Sequence, residues 1–180
     1  MGLTKSSVGI GAVDSGLIIK KQSPGDKIIA LAGNPNVGKS TVFNALTGLN
    51  QHTGNWPGKT VANAQGYCKS EKHSYVLVDI PGTYSLMAHS AEEEVARNFI
   101  CFGAPDAVAV VCDATCLERN MNLVLQTLEI SSNVIVCVNL MDEARRKKIN
   151  IDLKKLEERL GVPVIGVTTQ KKKSLKRLLD

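Results

Sequence analysis

Aromatic side chains are scarce in this chain of 180 residues: Phe, Trp and Tyr together make up 4%. That argues against a β-sandwich with a Trp- and Tyr-rich core, and against a platform on which bases stack. Nowhere do about 18 apolar residues run together, so nothing in the sequence reads as a membrane-spanning helix. The 22 Lys and Arg exceed the 17 Asp and Glu by five, a mild excess that only weakly points to an anionic partner. No C-x-x-C pair occurs among Cys68, Cys101, Cys112, Cys116 and Cys137, and Cys112 with Cys116 offers at most half a metal site. Cys112 and Cys137 sit in apolar runs, so buried reduced thiols of a cytosolic protein are expected. What is present is 43% hydrophobic and 22% charged residues, the balance of one folded domain.

Residues 1–26 are rich in Gly and Ser and lack a continuous apolar core. They read as a flexible arm rather than a secretory signal, with a short strand at 17–19 as the alternative. Strands are expected at 27–32, 60–69, 74–80, 107–112, 133–138 and 163–167. Helices are expected at 41–47, 90–102, 117–130 and 152–160, with the start of a last one at 174–179. Val95, Phe99 and Phe102 share one helical face, and Leu117, Met121, Val124, Leu125 and Leu128 another. Residues 49–59 read as a polar loop holding the only Trp, Trp56. Continuous apolar strands alternating with helices mean an α/β fold. We expect a mainly parallel six-stranded sheet, helices on both faces, and one antiparallel edge strand at 60–69.

Gly33-Asn34-Pro35-Asn36-Val37-Gly38-Lys39-Ser40 has the form G-x-x-x-x-G-K-[ST] between an expected strand and an expected helix. The glycines let backbone N–H groups turn inward around phosphate oxygens. Lys39 neutralises β- and γ-phosphates, and Ser40 offers a hydroxyl to Mg²⁺. Such a loop fits a nucleoside triphosphate without saying which. Asp79-Ile80-Pro81-Gly82 closes the strand at 74–80; Asp79 can hold the metal through water, and the Gly82 N–H can meet a γ-phosphate. Asn139-Leu140-Met141-Asp142 closes the strand at 133–138. The Asp142 carboxylate can accept from guanine N1–H and the N2 amino group, donors that adenine does not pair; read alone, Asp142 is as well a helix N-cap. Thr168-Thr169 follows the last strand, where a backbone N–H can meet guanine O6. Each motif is weak singly; in this order, each at a strand end, they are specific.

In that order the motifs resemble a Ras-like GTPase of the translation-factor class. Gly54-Asn55-Trp56-Pro57-Gly58-Lys59-Thr60-Val61, the stretch 79–86 and the stretch 113–120 are similar to FeoB-type ferrous iron transporters, over roughly 27–179. The resemblance implies a Ras-like P-loop G domain over 27–180 that binds GTP or GDP with Mg²⁺ and hydrolyses GTP slowly. It implies a switch for ferrous iron transport at the cytoplasmic face of the bacterial inner membrane. The partner would be the membrane transporter domain of the same full-length protein, which with the family's helical domain is expected to be absent from these residues. An oligomer is left open, and no nucleic acid is expected. Thr60 would be the switch-I threonine reaching Mg²⁺ and the γ-phosphate, with Gly58 and Lys59 beside it and Asn34, Val37 and Thr41 completing the phosphate loop. Asn36 stands where GTPases of this kind help to bind K⁺, although Asn also bonds its own loop backbone. Catalysis would rest on Lys39, Thr60, Gly82 and Asn36.

The chain departs from the family pattern at several places. Ala62-Asn63-Ala64-Gln65 replaces residues that are often charged, and Thr168-Thr169 replaces Ser-Ala. Thr83 stands where Ras-like enzymes place a water-orienting Gln, and Leu140 where many place a Lys over the base, so weak nucleotide retention is expected. The basic runs 145–148 and 171–177 are contacts for RNA or anionic lipid, or merely solvated helix ends without interleaved aromatics. A ribosome- or RNA-associated GTPase is therefore the alternative function, and a non-hydrolysing nucleotide module a third. Trp56 is either a packing anchor or a cover for the nucleotide.

Overall fold

The apolar runs without helical period pair side by side, and the amphipathic segments between them cover the resulting sheet. In the computed structural model, residues 17–48, 51–168, 174–175 and 177–179 are described. Along them the chain forms β1 (Lys27–Gly33), α1 (Lys39–Thr47), β2 (Gln51–Asn55), β3 (Ala62–Lys69), β4 (Ser74–Asp79) and α2 (Ala91–Phe102). It continues with β5 (Ala107–Asp113), α3 (Leu117–Ile130), β6 (Val134–Asn139), α4 (Met141–Arg146), α5 (Leu153–Leu160) and β7 (Val164–Gly166). The strand order is β2-β3-β4-β1-β5-β6-β7. Strands β4, β1, β5, β6 and β7 pair in parallel, and β3 alone runs against the rest.

Alternate residues of each strand feed opposite faces, so one sheet supports two cores. Ala30, Ala32, Val78, Val108, Val110, Cys112, Val136 and Val138 face Val95, Phe99, Leu123 and Val124 of α2 and α3, with α5 alongside. Leu31, Leu77, Ala109, Val111 and Cys137 face Val42 and Phe43 of α1, and Leu175 and Leu178 near the C-terminus. At Gly66 the close approach of α1 requires glycine, because a Cβ there would lie 2.4 Å from Thr47 Cγ2 and 2.9 Å from Phe43 Cζ. Ser90 caps α2 by accepting from the Glu93 N–H, while the Glu93 carboxylate accepts from the His89 N–H. The apolar-run thiols Cys112 and Cys137 are buried, as is Cys68, and Cys101 and Cys116 are exposed; all five are free.

Four expectations change. The sheet has seven strands rather than six, because 51–55, read as loop, pairs with β3 outside it; the reversed strand is as expected but is not the edge. Gln-His-Thr-Gly-Asn has no apolar alternation; it pairs with β3 through the backbone ladder, with His52 meeting the Tyr67 ring edge-on. The six-residue α4, absent from the expected helices, follows β6 directly. Phe102 and Leu125 are 47% and 53% exposed, while Leu123 takes a buried place on α3. Lastly, the expected arm 1–26 is packed at its described end. Leu17 and Ile19 join the core; Gln65 Nε2 donates to the Ile18 carbonyl, Gln65 Oε1 accepts from the Lys20 N–H, and Tyr67 Oη donates to the Lys20 carbonyl.

Candidate functional site

Parallel pairing brings the C-terminal ends of β1, β4, β5 and β6 to one edge of the sheet, with Leu31 level with Asp79 and Asp113 with Asn139. The loop from Gly33 to Gly38 leaves β1 there and enters α1 at Lys39. Gly38, with φ +81°, is left-handed, and a Cβ on it would lie 2.5 Å from Asn139 Nδ2. Asn139 is fully buried and donates to the Val37 carbonyl at 3.1 Å. Loop and Asn139 are thereby locked together across 102 residues of sequence.

Asn34, Pro35, Asn36, Gly38, Lys39, Ser40, Thr41 and Gly82 line a cavity of about 490 Å³. Thr83 N–H donates to the Gly33 carbonyl at 3.2 Å, which draws Gly82 against Pro35. Lys39 Nζ donates to the Asp79 carboxylate and, at 2.7 Å, to the Ile80 carbonyl. Cation and carboxylate thus satisfy each other in a half-buried setting where either alone would be costly. Asn36 is left-handed at φ 67°, exposed, and makes no hydrogen bond to its own loop among the described residues. The alternative of a self-bonded Asn36 is therefore not what the loop adopts.

On the base side, Leu140 is held at φ 61°, a strained conformation for a non-glycine residue, and forms the N-cap of α4. Asp142 is consequently inside the first turn rather than capping it, and one oxygen accepts from Arg146 Nη2 at 3.3 Å. Met141 N–H donates to the Val167 carbonyl at 3.4 Å, which ties this turn to the strand end carrying Thr168. Thr169 lies outside the described residues. Among the described residues, the buried Asn139 Oδ1 and Asn34 Oδ1 have no hydrogen-bond partner. The loop is thus tied to Asp79 and Ile80 through Lys39 and to the start of the 139–142 turn through Asn139.

No residue of the segment 56–61 lines that cavity. Gly58 lies in its turn with φ +70°, and Thr60 is exposed. Trp56 is a packing anchor: its ring is 2% exposed and meets Phe99 of α2 edge-on at 5.3 Å. Lys59 Nζ bonds Glu94 Oε2 at 2.6 Å. The Lys59 hydrogen bond and charge hold the Glu94 carboxyl below its ordinary range.

Sequence reasoning missed the part played by α3. Arg119 lies over the Tyr84 ring at 4.6 Å, and its carbonyl accepts from Asn34 Nδ2. Asn122 Nδ2 donates to the Tyr84 carbonyl, and Gln126 Oε1 accepts from the Leu86 N–H. These three residues sit at i, i+3 and i+7, a polar stripe that helical spacing could have flagged. Buried Asn120 bridges Asp113 N–H and the Cys116 carbonyl, so the 113–120 stretch serves as a brace between β5 and α3.

Residues 27–180 match a family model described as ferrous iron transport protein B. The chain is 42% identical over 154 residues to the Fe(2+) transporter FeoB of Salmonella typhimurium, covering 83% of this chain and 20% of that protein. It superposes on the cytosolic domain of T. maritima FeoB in a GDP form with a TM-score of 0.82 at 38% identity, covering 86% of this chain and 60% of that one. That domain is also known in a GMPPNP form. The FeoB G-domain of Methanococcus jannaschii gives 0.75 at 43% identity, covering 86% and 93%. The architecture is accordingly the Ras-like P-loop one, and the chain spans a fifth of the length of the curated relatives it matches.

Proposed function

The chain belongs to the ferrous iron transport protein B family, and from that premise we propose that it binds and hydrolyses GTP as the switch that regulates iron passage through a membrane domain of the full-length protein. The observation that carries this reading is the convergence of the 33–40 loop, Asp79–Gly82 and Asn139–Asp142 at one sheet edge, locked by the Asn139 bond to the Val37 carbonyl. Matching FeoB transporters, the chain gives no support to the RNA-associated alternative.

In this reading Lys39 exchanges its bond to Asp79 for the β- and γ-phosphates, and Asp79 is freed to orient a water of the metal shell. Ser40, exposed on the cavity wall, supplies a hydroxyl to Mg²⁺, and Thr60 supplies another when the triphosphate is bound. The Gly82 N–H faces the γ-phosphate, and loop N–H groups receive the remaining oxygens. Asp142 reads the guanine edge, Leu140 flanks the base, and Thr168 with Thr169 meets O6. The unbonded Asn36 side chain beside the cavity fits a monovalent cation, and K⁺ bound there supplies positive charge where other GTPases use an arginine. Thr83 is buried at 4% exposure and so does not orient the attacking water, which fits a slow reaction.

Phosphate release from GTP and from ATP, with and without Mg²⁺, tests the reading. Slow, Mg²⁺-dependent release from GTP alone is expected, and Lys39→Ala should abolish it. Equal turnover of ATP, or unchanged turnover in Lys39→Ala, would remove the site from the mechanism.

A further inference from the structure

Thr60 sits in a turn closed by two backbone hydrogen bonds, from Trp56 N–H to the Val61 carbonyl at 2.7 Å and from Lys59 N–H to the Trp56 carbonyl at 3.0 Å. A turn closed in this way moves as one body. Two side chains fasten it to α2, Trp56 against Phe99 and Lys59 on Glu94. None of its residues lines the cavity of the phosphate loop, so Thr60 is no part of the wall that carries Ser40 and Lys39.

We propose that Lys59 and Glu94, with Trp56 seated on Phe99, latch the Thr60 turn to α2 and thereby set how strongly the protein prefers guanosine triphosphate to the diphosphate. The inference rests on the reading of Thr60 as the residue that senses the γ-phosphate. Only the triphosphate draws Thr60 to the cavity, so only triphosphate binding works against the latch. A ligand shifts such an equilibrium by its difference in affinity for the two states, and weakening the latch raises triphosphate affinity alone. The latch has a soft point. Trp56 Nε1 is buried with no partner among the described residues, so leaving the pocket lets the indole regain a hydrogen bond to water. The ion pair is part-exposed, with side chains 31% and 42% accessible, strong enough to bias the turn and weak enough to release it.

Trp56 is the only Trp of the chain, so its emission reports the turn directly. Emission spectra and affinities for GDP and a non-hydrolysable GTP analogue in Mg²⁺ are measured on the parent, Lys59→Met, Glu94→Gln, the charge swap Lys59→Glu with Glu94→Lys, and Thr60→Ala. In the parent the analogue, but not GDP, should move the emission to the red. Each single latch variant should raise the analogue-to-GDP affinity ratio by about two- to fivefold, the worth of a part-exposed ion pair. The swap should bring the ratio back toward the parent. Thr60→Ala should lose the red shift. Ratios unchanged or lowered in both latch variants overturn the latch, even where Thr60→Ala behaves as stated. A parent-like red shift in Thr60→Ala overturns instead the reading of Thr60 on which the latch rests.

Discussion

In the proposed reading, the Asp142 carboxylate carries the preference for guanine. Guanine presents N1–H and an N2 amino group, and an ionised acceptor bonding both contributes about 1.5–3 kcal/mol for each. Asp142→Asn should therefore weaken GTP by about 10²- to 10⁴-fold and strengthen xanthosine triphosphate, whose C2 carbonyl accepts from the new amide. Competition titration against a labelled nucleotide measures both. The existing contact from Arg146 at 3.3 Å is exposed and does not compete seriously for the carboxylate. Asn36 carries a second residue-scale prediction. GTP hydrolysis should run faster in KCl than in NaCl at equal ionic strength, and Asn36→Ala should erase that difference while the NaCl rate stays close to the parent's. Equal parent rates in the two salts would count against a cation at Asn36. At this scale the phosphate-loop and N-x-x-D patterns were legible, because each is a few adjacent residues. Leu140 and Asn36 were identifiable by position, but their left-handed backbone was not, since only the surrounding fold imposes that conformation.

Among the elements, α1 carries Lys39 and Ser40 at its start and packs its far end on β3 at Gly66. Adding a methyl there drives into Thr47 and Phe43, so α1 must lift from the sheet that positions its N-terminus. Gly66→Ala should lower stability by about 1–3 kcal/mol in urea unfolding. Gly25→Ala, with open space around its Cβ, serves as the control and should stay near the parent. Strand β2 was illegible because Gln51–Asn55 has no apolar alternation to mark it. Phe102 shows the reverse error: its spacing is right for the buried face of α2, but it is the last residue of the helix and is exposed.

For the whole molecule, the site edge of the sheet is balanced by a tie at the opposite edge. Asp106 accepts from the Ile28 N–H at 2.7 Å and from Lys27 Nζ at 3.2 Å, joining the start of β1 to the start of β5. Burial raises the Asp106 pKa, but the Ile28 N–H and Lys27 outweigh it, so the group ionises below its ordinary value of 3.8. A carboxyl depressed in the folded state adds stability above its unfolded value, and that stability is lost as pH falls through the folded one. Asp106→Asn should thus be less stable than the parent at pH 7. The gap should close as pH drops below about 4, as read from urea midpoints across pH. A gap that stays constant down to pH 2 would place the contribution in packing rather than in charge.

The sequence by itself determined where the motifs stand: the 33–40 loop, Asp79–Gly82 and Asn139–Asp142 are contiguous residues, and each follows an apolar run that must become a buried parallel strand. Parallel pairing then brings those strand ends to one edge. The tertiary structure alone decided what surrounds that chemistry. Gln65 holds residues 18 and 20, Lys59 holds Glu94 across 35 residues, Trp56 sits on Phe99, and α3 pins the segment after Gly82. These contacts join polar or isolated side chains far apart in the chain. Helical spacing flags the polar stripe of α3, but no local period or motif says what any of these side chains meets; the path of the folded backbone does.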